Sequence, residues 1–390
     1  MAKVLLSTTM MWPAPARLAG AFAACGATVE ALAPRRHPIG ESKALAKLHP
    51  YRPLQAISGL RNALEAVRPD LVIPCDDRAV RHLVTLAEED EQFTALVARS
   101  IGRLGGYRTL LSRASFLHDA SGLGIEIPPI KEAATEADLK SVLQDIGLPA
   151  VIKTDGSWGG EGVSIVHNYD EALGAFRHLA LAPSRLRSLA RAAKRQDTHF
   201  LLDAVDPQDY AISVQRFVEG VPATCSFAAW DGQVMASLHM DVLETREPRG
   251  PATVLNRVFS PQMDEAARAI AKQFRLNGFH GLDFIRDASG KLFLIEINPR
   301  ATQICHLALG EGRDLPAALL AAFEGRTAAP RPVATDASVI TLFPQSAGAR
   351  ATRYAGAYHD IPADDPALLH ALSAQKDTHS RESLAALQNG

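Results

Sequence analysis

Two carboxylates and a carboxamide, Asp283, Glu296 and Asn298, are the residues of this 390-residue chain best suited to chemistry. They lie between Gly281 and Arg300, in two runs of aliphatic, aromatic and β-branched residues separated by Asp287-Ala288-Ser289-Gly290. That tetrapeptide has turn chemistry, and Gly290 can take positive φ. With Arg286 set against Lys291 across the turn, Asp283 faces Leu294. The two-residue period of a strand then places Asp283, Glu296 and Asn298 on one face of a hairpin. An all-oxygen set of this kind suits Mg²⁺. A wet surface hairpin would account for Asp283 alone. It accounts less well for Glu296 within the apolar run Leu292 to Ile297, because burying an unpaired charge costs several kcal/mol.

These residues need a partner that holds phosphate, and Pro149 to Val166 has the composition for it. The segment reads as a strand ending in Lys153, a turn containing Gly156, Ser157, Trp158, Gly159, Gly160 and Gly162, and a second strand. Glycines let backbone N–H groups approach phosphate oxygens, and Lys153 adds a point charge. There is no G-K-[ST] sequence and a strand follows the turn, so this is not a Walker A loop.

Taken together, the acid on one strand and Glu296-Ile297-Asn298-Pro299-Arg300 on the next resemble the ATP-grasp superfamily. The likeness is to its carboxylate–amine ligases, such as the ATP-grasp domains of carbamoyl phosphate synthetase and biotin carboxylase. The resemblance covers residues 100 to 325 by motif and the first 100 by layout. It implies that Asp283, Glu296 and Asn298 hold two Mg²⁺ ions, with Mn²⁺ able to substitute, over the phosphates of ATP. Arg300 would reach the transferring phosphoryl group or acyl-phosphate, with Lys153 and Arg249 as further cationic catalytic groups. Arg249 belongs to the cationic loop Thr245 to Pro251.

The same resemblance makes Arg113 a phosphate contact and the glycine-rich turn a phosphate lid. Gln215, Arg216, Phe217 and Val218 become an adenine hinge, and Glu219 a ribose contact. Gln215 stands where relatives carry an acid, and its amide oxygen could still accept from the adenine amine. The implied partners are a small carboxylate and an amine, amino-acid-like in character, with neither nucleic acid nor membrane; a homodimer is compatible. A kinase acting on a small hydroxyl compound, and a non-catalytic ATP-binding regulator, are the competing readings.

Composition sets wider bounds. A hydrophobic fraction of 47% and a net charge of −2 fit a water-soluble globular chain with no field favouring nucleic acid. Cys25, Cys75, Cys225 and Cys305 are scattered, which argues against a disulfide framework or zinc site and points to a reducing cytoplasm. No apolar run approaches the roughly 18 residues of a membrane span. The expected fold class is α/β: a Rossmann-like domain over residues 1–100, an ATP-grasp domain over 101–325 and a short extension over 326–390. The first domain lacks a G-x-G-x-x-G fingerprint. Its strands are expected at Lys3 to Ser7, Thr28 to Ala33 and Leu71 to Pro74. Asp76 and Asp77 follow the third, either as a helix cap or as a substrate contact. A lid over residues 151–220 is expected to include a solvated basic helix over 183–198.

Overall fold

The structure is a computed structural model that describes residues 1–155, 162–180, 211–246, 250–346, 354 and 356–374. The glycines at 156, 159 and 160, Ser157, Trp158, Arg249 and the basic segment 183–198 lie outside the described residues.

The chain begins with an α/β layer. Strands β1 (Lys3–Ser7), β2 (Thr28–Ala33), β3 (Leu45–Pro50) and β4 (Leu71–Pro74) form a parallel sheet in the order β3-β2-β1-β4. Strands β1 and β4 are almost wholly buried aliphatic runs, as a sheet covered on both faces requires. Helices α1 (Ala14–Ala24), α2 (Ala56–Val67), α3 (Asp77–Glu89) and α4 (Thr94–Ile101) accompany it. The edge strand β3 was not expected. Its residues are mostly half-buried or exposed and include Lys47 and His49, so it lacks the apolar signal of its neighbours.

Short helices α5 (Tyr107–Leu110) and α6 (Arg113–Gly122) lead to a four-stranded antiparallel sheet of order β5-β8-β6-β7. Its strands are β5 (Ile130–Glu132), β6 (Ala150–Thr154), β7 (Val163–Val166) and β8 (Ile212–Arg216). One face, with Ala150, Ile152, Val166 and Val214, packs on helices α7 (Glu136–Ile146) and α8 (Tyr169–Ala180) in a small core of its own. Strand alternation sends Val151, Lys153, Val163, Ile165 and Gln215 to the other face.

The largest sheet has seven strands in the order β13-β12-β9-β10-β11-β14-β15. They are β9 (Val221–Trp230), β10 (Gln233–Thr245), β11 (Ala252–Arg257), β12 (Gly278–Arg286), β13 (Leu292–Asn298), β14 (Val339–Leu342) and β15 (Tyr358–Asp360). Helices α9 (Pro261–Phe274) and α10 (Leu315–Phe323) contribute buried apolar faces to the same main core as the N-terminal sheet. The C-terminal segment is tied in rather than appended. Asp360 joins His306 at 2.7 Å and Arg17 at 2.5 Å, Asp365 accepts from Ser42 Oγ at 3.0 Å, and Leu368 and Leu372 are buried. Among the described residues, no helix is long and apolar enough to cross a membrane.

The β12–β13 register differs from the expected one. Arg286 pairs with Leu292, not Lys291, and Asp283 pairs with Glu296, not Leu294. Continuing from Arg286–Leu292 without interruption would set Asp283 against Ile295 and send Glu296 to the opposite face. A bulge between Asp283 and Phe284 absorbs Ile295 and restores the shared face. The expected clustering therefore holds, through a local irregularity instead of a regular ladder.

Candidate active site

The hairpin opens onto a cavity of about 400 Å³. Its walls include Lys153, Gln215, Phe217 and Val218 from the four-stranded sheet and the segment after it, and Asp283, Glu296, Asn298 and Arg300 from the hairpin. Arg113, at the start of α6, and Trp12 and Asp77 from the N-terminal layer also line it. Thr245, Gly250, Thr302 and Gln303 extend the wall toward the residues that follow the hairpin.

Asp283 and Glu296 face each other across the two strands, with Asn298 two residues further along β13. Asn298 Nδ2 donates to Asp283 Oδ2 at 2.9 Å. Burial, with the Glu296 carboxylate beside it, pushes the Asp283 carboxyl up to about 6, against the pull of hydrogen bonds from Thr224 and Asn298. Burial would raise Glu296 too, but Arg113 and Lys153 outweigh it and hold that carboxyl below its usual value. Arg113 Nη2 donates to Glu296 Oε1 at 2.8 Å. Glu296 lies deep in the protein yet keeps 34% of its side chain accessible, and what it faces is the cavity.

Arg113 is fixed on a second side. Its Nη1 lies 3.3 Å from both Thr154 O and Asp155 Oδ1, and its backbone N–H donates to Asp155 Oδ2 at 3.4 Å. Lys153 is fully enclosed, and its ammonium donates to Gln215 Oε1 at 2.7 Å. Burial, with Arg113 nearby, brings Lys153 down to about 8, although Glu296 and Asp283 resist. The oxygen of Gln215 expected to accept from adenine is thus already engaged, and Nε2 is the group left without a partner among the described residues.

Arg300 joins the hairpin to the N-terminal layer. Its Nη2 donates to Asn298 Oδ1 at 2.9 Å, and its Nε donates to Asp77 Oδ1 at 2.9 Å. The two adjacent aspartates have separate tasks. Asp76 caps α3 through Ala79 N–H at 2.9 Å and accepts from Thr8 and Thr9, whereas Asp77 holds Arg300. Gly281, opposite Asn298, is required by closeness: a Cβ there would lie 2.5 Å from Thr302 Cγ2.

The hinge segment is braced on both flanks. Arg216 N–H donates to Pro129 O at 2.9 Å, and Phe217 N–H donates to Pro149 O at 3.1 Å. The Arg216 guanidinium turns away to Ile146 O at 2.9 and 2.7 Å, at the end of α7. Glu219 is exposed and does not line the cavity, so the structure does not bring it to the other residues. Gly162 is buried in the turn just before β7, with its carbonyl accepting from Thr154 N–H at 3.1 Å. Asp77, Asp155 and Thr224 are the site residues not singled out for these roles. Asp77 carried the signal of standing just past a strand end; Asp155 and Thr224 act through pairings that only the fold creates.

Among the described residues, no group of three or more His, Cys, Asp and Glu could hold a metal ion. The hairpin set is two carboxylates and an amide, which fits a divalent cation completed by phosphate oxygens. Two carboxylates set opposite each other, one with its pKa raised by burial and by the other, are the arrangement a hard cation relieves.

Residues 117–303 match the ATP-grasp domain. The chain is 26% identical over 248 residues to the formate-dependent phosphoribosylglycinamide formyltransferase of Mycolicibacterium smegmatis, covering 62% of this chain and 56% of that one. It is 26% identical over 200 residues to a D-alanine–D-alanine ligase of Desulfotalea psychrophila, covering 46% and 54%. The chain thus spans little more than half the length of these curated relatives. A biotin carboxylase of Campylobacter jejuni superposes with a TM-score of 0.61 at 13% identity, over 84% of this chain and 72% of that one. The N5-carboxyaminoimidazole ribonucleotide synthetase of Thermus thermophilus gives 0.59 at 16%, over 84% and 81%. At such identities the likeness is one of fold.

Proposed function

Residues 117–303 form an ATP-grasp domain, and on that premise we propose that the chain is an ATP-dependent carboxylate–amine ligase. The observation that carries the reading is the convergence of Arg113, Lys153 and Arg300 on the Asp283–Glu296–Asn298 face of one cavity. A carboxylate oxygen of the substrate attacks the γ-phosphorus of ATP and ADP leaves. The amine nitrogen then attacks the acyl carbon, phosphate departs, and the nitrogen loses a proton. The substrates are a small carboxylate and an amine of amino-acid-like size. Dimerisation and the division at residues 100 and 325 belong to the same proposal.

Magnesium, when bound by Asp283, Glu296 and Asn298, supplies charge neutralisation for the phosphates. The chain's own residues do the rest. Arg113 is held by Asp155 and Glu296 with little freedom, so its charge is already placed. Lys153 is a cation whose ammonium burial disfavours, and an anionic phosphate would stabilise its charged form. Arg300, gripped by Asp77 and Asn298, stands between the metal set and the N-terminal layer, where a carboxylate substrate would meet it. The apolar side chains Val151, Ile165, Phe217 and Ile295 give the base a dry wall.

Hydroxylamine trapping tests the chemistry. Paired small carboxylates and amines are screened for ADP release, and the active carboxylate is incubated with Mg–ATP and hydroxylamine. A hydroxamate with stoichiometric ADP is expected. A phosphorylated hydroxyl product with no hydroxamate would establish the kinase instead, and nucleotide binding with no turnover on any pair would favour the regulator.

A further inference from the structure

Asp360, in the C-terminal segment, stands behind the cavity and holds two of its walls. It is the last residue of β15, which pairs in parallel with β14, and it is 2% exposed. Its two carboxylate oxygens have separate partners. Oδ1 accepts from Arg17 Nη2, and Oδ2 lies 2.7 Å from His306 Nε2. Burial would raise the Asp360 carboxyl, but His306 and Arg17 outweigh it and hold it below its ordinary value. Among the described residues, Asp360 is the hydrogen-bond partner of the Arg17 guanidinium, whose buried Nε has none.

Each partner leads directly to a wall. Arg17 lies in the first turn of α1, and Trp12, which lines the cavity, is just before that helix. The Trp12 carbonyl is held from another side by His37 Nε2 at 2.7 Å. His306 ends the run after the hairpin in which Thr302, Gln303 and Ile304 line the cavity. Tight turns carry that wall into His306: Cys305 N–H donates to Thr302 O at 3.3 Å, and Leu307 N–H donates to Ile304 O at 3.0 Å. Arg331 Nη2 donates to the His306 carbonyl at 2.9 Å. Among the described residues, the side-chain hydrogen bonds of Arg17, His306 and Asp360 do not reach the four-stranded sheet that carries Lys153 and Gln215. Apolar packing would hold α1, the run after the hairpin and β15 together without fixing their separation. A carboxylate with one oxygen on each partner sets it, because charge-assisted hydrogen bonds weaken steeply away from their preferred distance and angle.

We propose that Asp360 is a positioning residue for the two non-nucleotide substrates, setting the gap between Trp12 and the Thr302–Ile304 wall through Arg17 and His306. The proposal rests on the ligase reading, and it makes the C-terminal segment part of the active site.

The test uses the full chain and the carboxylate–amine pair that supports the fastest ADP release. His306→Ala cuts one arm of the bridge, and Arg17→Met cuts the other while keeping most of the apolar stem. Each is expected to raise KM for the carboxylate or the amine by about tenfold or more, since a shift on the order of 1 Å misplaces a substrate. Mg–ATP affinity, measured by calorimetry, is expected to stay within about threefold of wild type. His306→Gln, which returns a donor toward Asp360, is expected to recover KM to within about threefold. Both KM values within about threefold of wild type in the folded variants overturn the proposal and leave the ligase reading standing. So does a loss of Mg–ATP affinity as large as the rise in KM, which is the mark of general loosening. Where His306→Ala does not fold, Arg17→Met carries the same comparison. No turnover of any pair by wild type overturns the ligase reading and this proposal together.

Discussion

The β12–β13 hairpin and the β6–β8 strand pair meet the same cavity with opposite charge, and they manage burial differently. The hairpin sets Asp283 opposite Glu296 and surrounds the pair with donors from Asn298, Thr224 and Arg113. The β6–β8 pair buries one cation, Lys153, against a neutral amide. The resulting shifts run in opposite directions: Asp283 rises to about 6 and Lys153 falls to about 8. Each group is thus displaced toward its neutral form in the absence of ligand, and a cation at one and an anion at the other would reverse both displacements. A site of this kind is prepared for a metal and a phosphate together.

The harshest way to break this comparison is to remove the better-ionised acid. Glu296→Ala should reduce turnover on the order of a thousandfold, because it deletes a metal ligand and the partner of Arg113. Steady-state rates with Mg–ATP check it, alongside a thermal melt showing that the fold survives. Turnover within tenfold of wild type would remove the metal role from the hairpin.

Removing the cation of the other pair should have a smaller effect. Lys153→Ala loses a charge-assisted hydrogen bond to phosphate, about 10- to 150-fold in nucleotide affinity. Calorimetry measures it directly. Unchanged affinity would leave Lys153 as a structural partner of Gln215 and would end the symmetry argued above.

A third variant sharpens the comparison by loosening only the arginine that links the hairpin to the N-terminal layer. Asp77→Asn keeps an acceptor for Arg300 but not the charge pair, so kcat should fall by about tenfold while nucleotide affinity stays the same. A parallel loss of nucleotide affinity would place Arg300 at the phosphates instead of at the second substrate.

The two regions were also unequally legible in the sequence. Asp283, Glu296 and Asn298 sit in strands whose alternation is plain, so their common face was readable. The bulge that actually produces it was not, because the position of an extra residue depends on how β12 meets β9 as well as β13. For Lys153, the strand and its charge were readable. Its bond to Gln215 was not, since the two are 62 residues apart and meet only when β6 pairs with β8. Asp77 illustrates the same limit: its place past a strand end was visible, its arginine 223 residues away was not. Edge strand β3 was missed for another reason, as a half-exposed strand carries little apolar periodicity.

The gentlest perturbation is pH. Asp283 titrates near 6 in the folded protein, above the ordinary value of 3.8. Between those values the folded state holds a proton that the unfolded state has released, so without metal this group makes the protein less stable as pH rises from about 4 to 6. A divalent cation needs the ionised carboxylate and must displace that proton. Mg²⁺ affinity should therefore be nearly flat above pH 7 and fall by at most about tenfold per unit below 6. Glu296, held below its usual value by Arg113 and Lys153, stays ionised through this window and adds no second step. Titrating Mg²⁺ into the nucleotide-free protein by calorimetry between about pH 5 and 7.5 resolves the slope. A flat profile would mean that Asp283 is ionised throughout, and that neither its burial nor the facing Glu296 carboxylate raises it.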